Sequence, residues 1–180
     1  EKGYVVTGVD ASAQMLKLAS QKLKELNLKA SLCKEKLKSF QLNSKFDAAL
    51  CLFSVIDYVT QKKDIIPTLE NIAEHMKRNS LFIFDFWNES AVNGRYSPEK
   101  KNLYKINGNV LERRSTTKIY PEKGLCEVHY RCKLKENGRL ISSDREKHVL
   151  RYFTIDEMRD YLSVAGFKVI DAHPFLNING

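Results

Sequence analysis

Tyr4-Val-Val-Thr-Gly-Val-Asp10, followed at once by Ala11-Ser12 and a helical pattern, is the stretch that decides the fold. A β-branched run ending in an acid reads as a buried strand. Ser12 carries the hydroxyl that caps the helix after it. Met15, Leu16, Ala19, Leu23 and Leu26 recur at three- and four-residue spacing, which predicts one buried stripe on that helix. Further out, Ala30–Cys33 reads as a short strand. Phe46-Asp-Ala-Ala-Leu-Cys-Leu-Phe53 is nearly continuously apolar, as a strand covered on both faces should be. A second helix is expected from Asp64 to Lys77, with Ile65, Leu69, Ile72, Ala73 and Met76 inward, and Leu81-Phe-Ile-Phe-Asp-Phe86 is a third apolar strand. Strand, helix, strand, strand, helix, strand predicts an α/β fold with a doubly wound sheet.

The texture changes near residue 88. Asn88–Lys101 reads as a polar loop with Gly94 and Pro98. Alternating segments follow at Val110–Tyr120, Leu125–Leu134 and Leu140–Tyr152, separated by Pro121-Glu-Lys-Gly124 and Glu136-Asn-Gly138. Asn137-Gly138 between alternating runs is a strong hairpin signal, so an inserted antiparallel meander is expected. Thr154-Ile-Asp-Glu157 is a capping box that opens a helix ending at Gly166, and Phe167–Phe175 is expected to be a further strand. The chain opens without a glycine-rich turn ahead of Asp10, so a βα unit is expected in front and a strand behind.

Composition narrows the function. The 180 residues are 43% hydrophobic and 29% charged, which excludes disordered and collagen-like chains. No apolar run is long enough to span a membrane. Cys33, Cys51, Cys126 and Cys132 show no metal-ligand spacing, so no metal is expected, and a cytoplasmic location suits free thiols. The net charge of +8 lies in residues 95–151, where 15 Lys and Arg face 7 Asp and Glu. Such a surplus serves an anionic partner or forms a solvated β face, and the interspersed glutamates favour the solvated face.

Asp10 is the sharpest single position. A carboxylate at a strand tip next to the switch point can accept hydrogen bonds from both hydroxyls of a ribose. It is read in the order Gly8-Val-Asp-Ala-Ser-Ala-Gln-Met-Leu16, Phe46-Asp-Ala-Ala-Leu-Cys-Leu-Phe-Ser54 and His75-Met-Lys-Arg-Asn-Ser-Leu-Phe-Ile-Phe84. In that order the sequence resembles the class I S-adenosylmethionine-dependent methyltransferases. Phe84-Asp-Phe-Trp-Asn88, Cys126-Glu-Val-His-Tyr130 and His148-Val-Leu-Arg-Tyr-Phe-Thr154 are similar to the branch of sugar-amine N-methyltransferases.

The resemblance implies a Rossmann-like cofactor-binding part at residues 1–87, an antiparallel lid over the active site at 88–152, and the last helix and strand at 153–180. It implies that Asp10 holds the ribose of S-adenosylmethionine, that Ala11, Ser12 and Met15 line its adenine, and that Leu37 sits over the adenine edge. Leu52 and Phe53 would present backbone to the methionine portion. Where the family commonly has an acid before Leu37, this chain has Lys36 beside Glu35, and lysine cannot accept a hydrogen bond. On the acceptor side Ser54, Asp57 and Tyr58 follow a strand end, Trp87 ends the next strand, and His129 and Tyr130 come from the meander. Tyr58 or His129 can take one proton from an amine, and both join Trp87 and Arg151 as substrate-binding candidates. A carboxylate nearby is the expected partner of Arg151.

The expected activity is methyl transfer to nitrogen, less readily oxygen, of a small metabolite such as an amino sugar nucleotide. Membrane and nucleic acid are not expected partners, and a homodimer is left open. Two rivals remain. The basic 95–151 region suggests an RNA methyltransferase, against which stands the lack of an aromatic stacking platform. Lys36 and the absent glycine turn suggest a cofactor-binding or interaction protein without catalysis.

Overall fold

The computed structural model describes residues 3–94 and 98–174. They form two compact units, residues 3–50, 63–83 and 161–168, and residues 51–62, 84–94, 98–160 and 169–174.

The first unit opens with β1 (Thr7–Asp10), α1 (Ala13–Glu25) and β2 (Ser31–Lys34). β1 and β2 pair in parallel, Thr7 beside Ser31 and Asp10 beside Lys34. Ser12 caps α1, its hydroxyl accepting the Met15 N–H at 3.2 Å. The expected stripe is covered only in part: Leu16, Ala19 and Leu23 are half-buried, and Met15 and Leu26 are exposed. A two-strand ribbon offers too little surface to cover a helix of 13 residues.

β3 (Phe46–Cys51) and β4 (Met76–Phe84) form a second pair, joined by α2 (Lys62–Glu74). Ile65, Leu69 and Ile72 are buried on α2, and Met76 is buried at the start of β4. Polar pins hold the preceding loop to α2. The Asn71 amide donates to the Phe40 carbonyl at 3.2 Å, and His75 Nε2 accepts the Leu42 N–H at 3.0 Å while its Nδ1 donates to the Asn71 carbonyl at 2.7 Å. β3 is not covered on both faces as its composition predicts. Leu50, on one of its faces, is 66% exposed.

The second unit contains the meander. β5 (Glu99–Ile106), β6 (Asn109–Tyr120), β7 (Leu125–Glu136) and β8 (Arg139–Arg151) form an antiparallel sheet in that order. Asn107-Gly108 and Asn137-Gly138 turn the first and last hairpins with positive φ throughout (48° and 80°, 47° and 81°), as a two-residue turn matched to strand twist requires. The segment read as a polar loop is instead α3 (Glu89–Gly94) and β5, with 95–97 outside the described residues. β5 is exposed at all eight positions, so it has no alternation to betray it.

Cys126, Val128 and Leu150 form the core of the meander, with Trp87, Ile119 and Tyr130 packed against them. Phe153 is buried and meets Phe86 edge-on at 5.9 Å. α4 (Ile155–Val164) begins at the predicted box: the Glu157 N–H donates to the Thr154 hydroxyl at 3.0 Å, and the Thr154 N–H to the Glu157 carboxylate at 3.2 Å. The expected strand after Gly166 does not form over residues 167–174, and Phe175 lies outside the described residues. A strand exists only where another pairs with it, and no partner strand reaches this segment among the described residues.

Candidate active site

In the first unit, Asp10 ends β1 with its side chain half-buried. Its Oδ1 accepts the Ser12 N–H at 2.7 Å, which fixes the carboxylate at the mouth of α1 and leaves Oδ2 as an acceptor. Ala11 is exposed, Ser12 is half-buried, and Met15 presents its thioether on the same first turn, 54% exposed. Leu37 is half-buried in a turn where Glu35 and Lys36 are exposed. A carboxylate with one free oxygen beside exposed apolar groups fits a nucleoside, whose sugar hydroxyls donate and whose base stacks.

In the second unit, the chain leaves β3 through a strained turn. Phe53 and Ser54 both have positive φ, 63° and 61°. Left-handed backbone costs a non-glycine residue roughly 1–2 kcal/mol. The Asp85 carboxylate holds the turn, both oxygens accepting the Ser54 N–H at 3.2 Å. Phe53 is thereby turned outward, 86% exposed, and Leu52 is 38% exposed. Backbone held in such a conformation clusters at ligand sites.

The 3-10 turn Ile56–Tyr58 follows. Asp57 is fully buried; its Oδ2 accepts the Trp87 N–H at 3.0 Å, and Oδ1 meets no hydrogen-bond geometry among the described residues. Burial pushes its carboxyl up to about 7. Tyr58 is half-exposed, and its hydroxyl meets Nδ1 of His148 at 2.6 Å. Burial, then the nearby Tyr130, Glu146 and Asp57, raise the phenol above its ordinary value. Burial also lifts the thiols of Cys51 and Cys126 to about 12 and about 11, so neither is a nucleophile at neutral pH.

The meander sorts the remaining candidates by face. Cys126, Val128 and Tyr130 of β7 lie opposite Leu150, His148 and Glu146 of β8, on the face that meets Tyr58 and Trp87. His129 alternates to the other face, opposite Lys147, and is 3.4 Å from Glu127. Tyr58 and Trp87 are thus in one neighbourhood with Tyr130, and His129 is not. Arg151 is buried, and its Nε donates to the Thr60 carbonyl at 2.9 Å, where a carboxylate was expected. Its guanidinium serves the backbone of the segment carrying Tyr58. His148 joins this face only through the strand pairing that sets it against Val128, which no local pattern in the sequence marks.

The family described as "Methyltransferase domain" matches residues 1–79. A dTDP-3-amino-3,6-dideoxy-alpha-D-glucopyranose N,N-dimethyltransferase of Streptomyces fradiae is 25% identical over 166 residues, covering 91% of this chain and 62% of that protein. An S-adenosylmethionine-dependent methyltransferase from Clostridium acetobutylicum superposes with a TM-score of 0.78 at 18% identity, covering 93% of this chain and 66% of that one. DesVI of Streptomyces venezuelae superposes at 0.77 and 18% identity, covering 90% and 66%. This chain spans less than two thirds of the length of each of these three. Residues 1–79 are similar to the methyltransferase-domain family, and the chain shares its fold with solved S-adenosylmethionine-dependent methyltransferases. A dTDP-3-amino-3,4,6-trideoxy-alpha-D-glucopyranose N,N-dimethyltransferase of Streptomyces venezuelae is also similar, 22% identical over 164 residues, covering 90% of this chain and 65% of that protein.

Proposed function

We propose that the protein transfers the methyl group of S-adenosylmethionine to the amino nitrogen of a small metabolite, with an amino sugar nucleotide as acceptor. The observation that carries this reading is the Tyr58 hydroxyl, half-exposed after a strained strand end and hydrogen-bonded to an imidazole. Bound S-adenosylmethionine supplies a methyl group on a sulfonium, so the protein's part is alignment and the removal of one proton. Asp10 accepts from the ribose, and Ala11, Ser12, Met15 and Leu37 line the base. In the second unit, the backbone of Leu52 and Phe53 meets the amino-acid portion, Trp87 and Tyr130 form an apolar wall for the acceptor, and Tyr58 takes the proton. A phenol suits an ammonium, which gives up its proton far more readily than an alcohol, so nitrogen is favoured over oxygen. Arg151 and His129 have no part in this reading.

The charges of the meander favour a small acceptor over RNA. Glu112 lies 3.4 Å from Lys101 and 4.0 Å from Lys135, Glu99 pairs with Arg114 at 3.0 Å, and Glu127 with Lys147 at 2.9 Å. A basic face laced with carboxylates is a poor phosphate track. The test is methyl transfer from labelled S-adenosylmethionine to dTDP-3-amino-3,6-dideoxyglucose and to a tRNA pool. Label in the sugar nucleotide supports the reading; label in RNA alone overturns it.

A further inference from the structure

Resting on the amine-methylation reading, we infer that Tyr58, His148 and Glu146 form a proton relay in which the acceptor's proton passes to Tyr58 while His148 receives the tyrosine's own. All three belong to the second unit. The Tyr58 hydroxyl is 2.6 Å from His148 Nδ1, and His148 Nε2 is 3.2 Å from a carboxylate oxygen of Glu146. An ionised carboxylate only accepts, so Nε2 carries the ring hydrogen and Nδ1 offers a lone pair to the phenolic O–H. The direction of the chain is therefore fixed, with the proton moving from Tyr58 to His148 and the positive ring facing Glu146.

The surroundings hold the imidazole in place. The Tyr130 ring meets it edge-on at 5.3 Å and the Tyr58 ring at 5.9 Å. The charged groups facing the pair are Glu146 on β8, Asp57 next to Tyr58, and Arg113 of β6, whose guanidinium stacks 4.2 Å over the Tyr130 ring. Lys147 and His129 alternate to the other face.

The step balances. The amine lone pair forms the N–C bond as the C–S pair returns to sulfur, leaving a thioether and an N-methylammonium. One ammonium proton passes to the phenolic oxygen of Tyr58, the phenolic proton passes to Nδ1 of His148, and the imidazolium pairs with Glu146. Tyr58 is the catalytic residue; His148 and Glu146 act through it as positioning residues. A half-exposed phenol without such a partner would be a weak base at neutral pH. Imidazole is the group whose protonation changes in that range.

The experiment uses the active methyltransferase with dTDP-3-amino-3,6-dideoxyglucose as acceptor. His148→Gln is expected to lower kcat about 10²-fold, the low end for general acid–base catalysis, with KM for the acceptor unchanged. The acid limb of the pH–rate profile contributed by His148 should vanish. The acceptor's own amine contributes equally to every variant, so the difference isolates the ring. Glu146→Gln should keep the limb with a smaller loss of kcat. A His148→Gln protein with its rate and limb intact overturns the relay, and in that case amine methylation stands.

A second measurement needs no acceptor. Nitrogen-15 NMR of the free protein should show His148 with hydrogen on Nε2 and an Nδ1 resonance that moves in Tyr58→Phe. Hydrogen on Nδ1, or no response to Tyr58→Phe, overturns the relay. The expected NMR result with no methylation of any amine counts against the amine reading and for the hydrogen-bonded chain.

Discussion

Asp57 is a carboxyl whose folded state prefers to keep its proton, and the sign of its effect on stability follows. Burial raises it from 3.8 to about 7, so between those values the folded protein holds a proton that the unfolded chain has released. Stability therefore falls as pH rises through that window and levels off above it. Asp57→Asn, which keeps an acceptor for the Trp87 N–H, is expected to flatten the slope; urea unfolding of both proteins at pH 5 and pH 8 checks it. An equal pH dependence in the two would remove Asp57 as its source. Asp10 is tested through its ligand. Asp10→Ala is expected to weaken S-adenosylmethionine binding by about 1.5–3 kcal/mol, the range for hydrogen bonds to a charged group. Isothermal calorimetry on a folded variant gives the number, and unchanged affinity would sink the ribose assignment. Asp10 was legible in the sequence because its role depends on a strand end and a cap only two residues away, both local signals. His148 was not, because its role depends on a partner 90 residues distant.

At the scale of elements, the turn after β3 stores strain that one side chain holds in check. Asp85→Ala removes the acceptor of the Ser54 N–H, and a loss of about 1.5 kcal/mol is expected, the low end for a charged hydrogen bond because Asp85 is half-exposed. Adding Ser54→Gly relieves the left-handed residue and should restore part of that loss. Thermal unfolding of the single and double variants decides whether the clamp opposes real strain. Local signals found most elements correctly: the cap at Ser12, the box at Thr154–Glu157 and the Asn137-Gly138 hairpin all follow from a few adjacent residues. Asn107-Gly108 is the same signal, and reading it would have exposed β5. Register is different. The turn at 137–138 pairs Lys135 with Leu140, but an irregularity after Leu134 passes over Ile141, so Leu134 meets Ser142 and Val128 meets His148. Without that one extra residue, continuing the first pairing would bring Lys147 to Val128. A single bulge thus chooses which β8 side chains face Tyr58, and nothing in the alternation of β8 announces it.

At the scale of the molecule, the charge surplus of residues 95–151 is spread along a sheet and answered by its own glutamates. Binding to a generic RNA is therefore expected only in the non-specific range, about 10⁻⁴–10⁻⁶ M at physiological salt. Filter binding or fluorescence anisotropy across a salt series checks this, and submicromolar binding that survives salt would reverse the preference for a small acceptor. The three hairpin turns of the meander differ in one respect that matters for anyone redesigning the protein. The Asn-Gly turns at 107–108 and 137–138 are exposed, and a side chain added at either glycine would meet nothing. Gly124 shares their positive φ but not their open space: an added Cβ would lie 2.9 Å from Nη1 of the buried Arg151. That arginine grips the Thr60 carbonyl, two residues beyond Tyr58. Loops or tags inserted beside Gly108 or Gly138 meet open space, provided the glycines themselves stay to hold the positive φ. A side chain at position 124 instead crowds Arg151 and, through it, the Thr60 carbonyl.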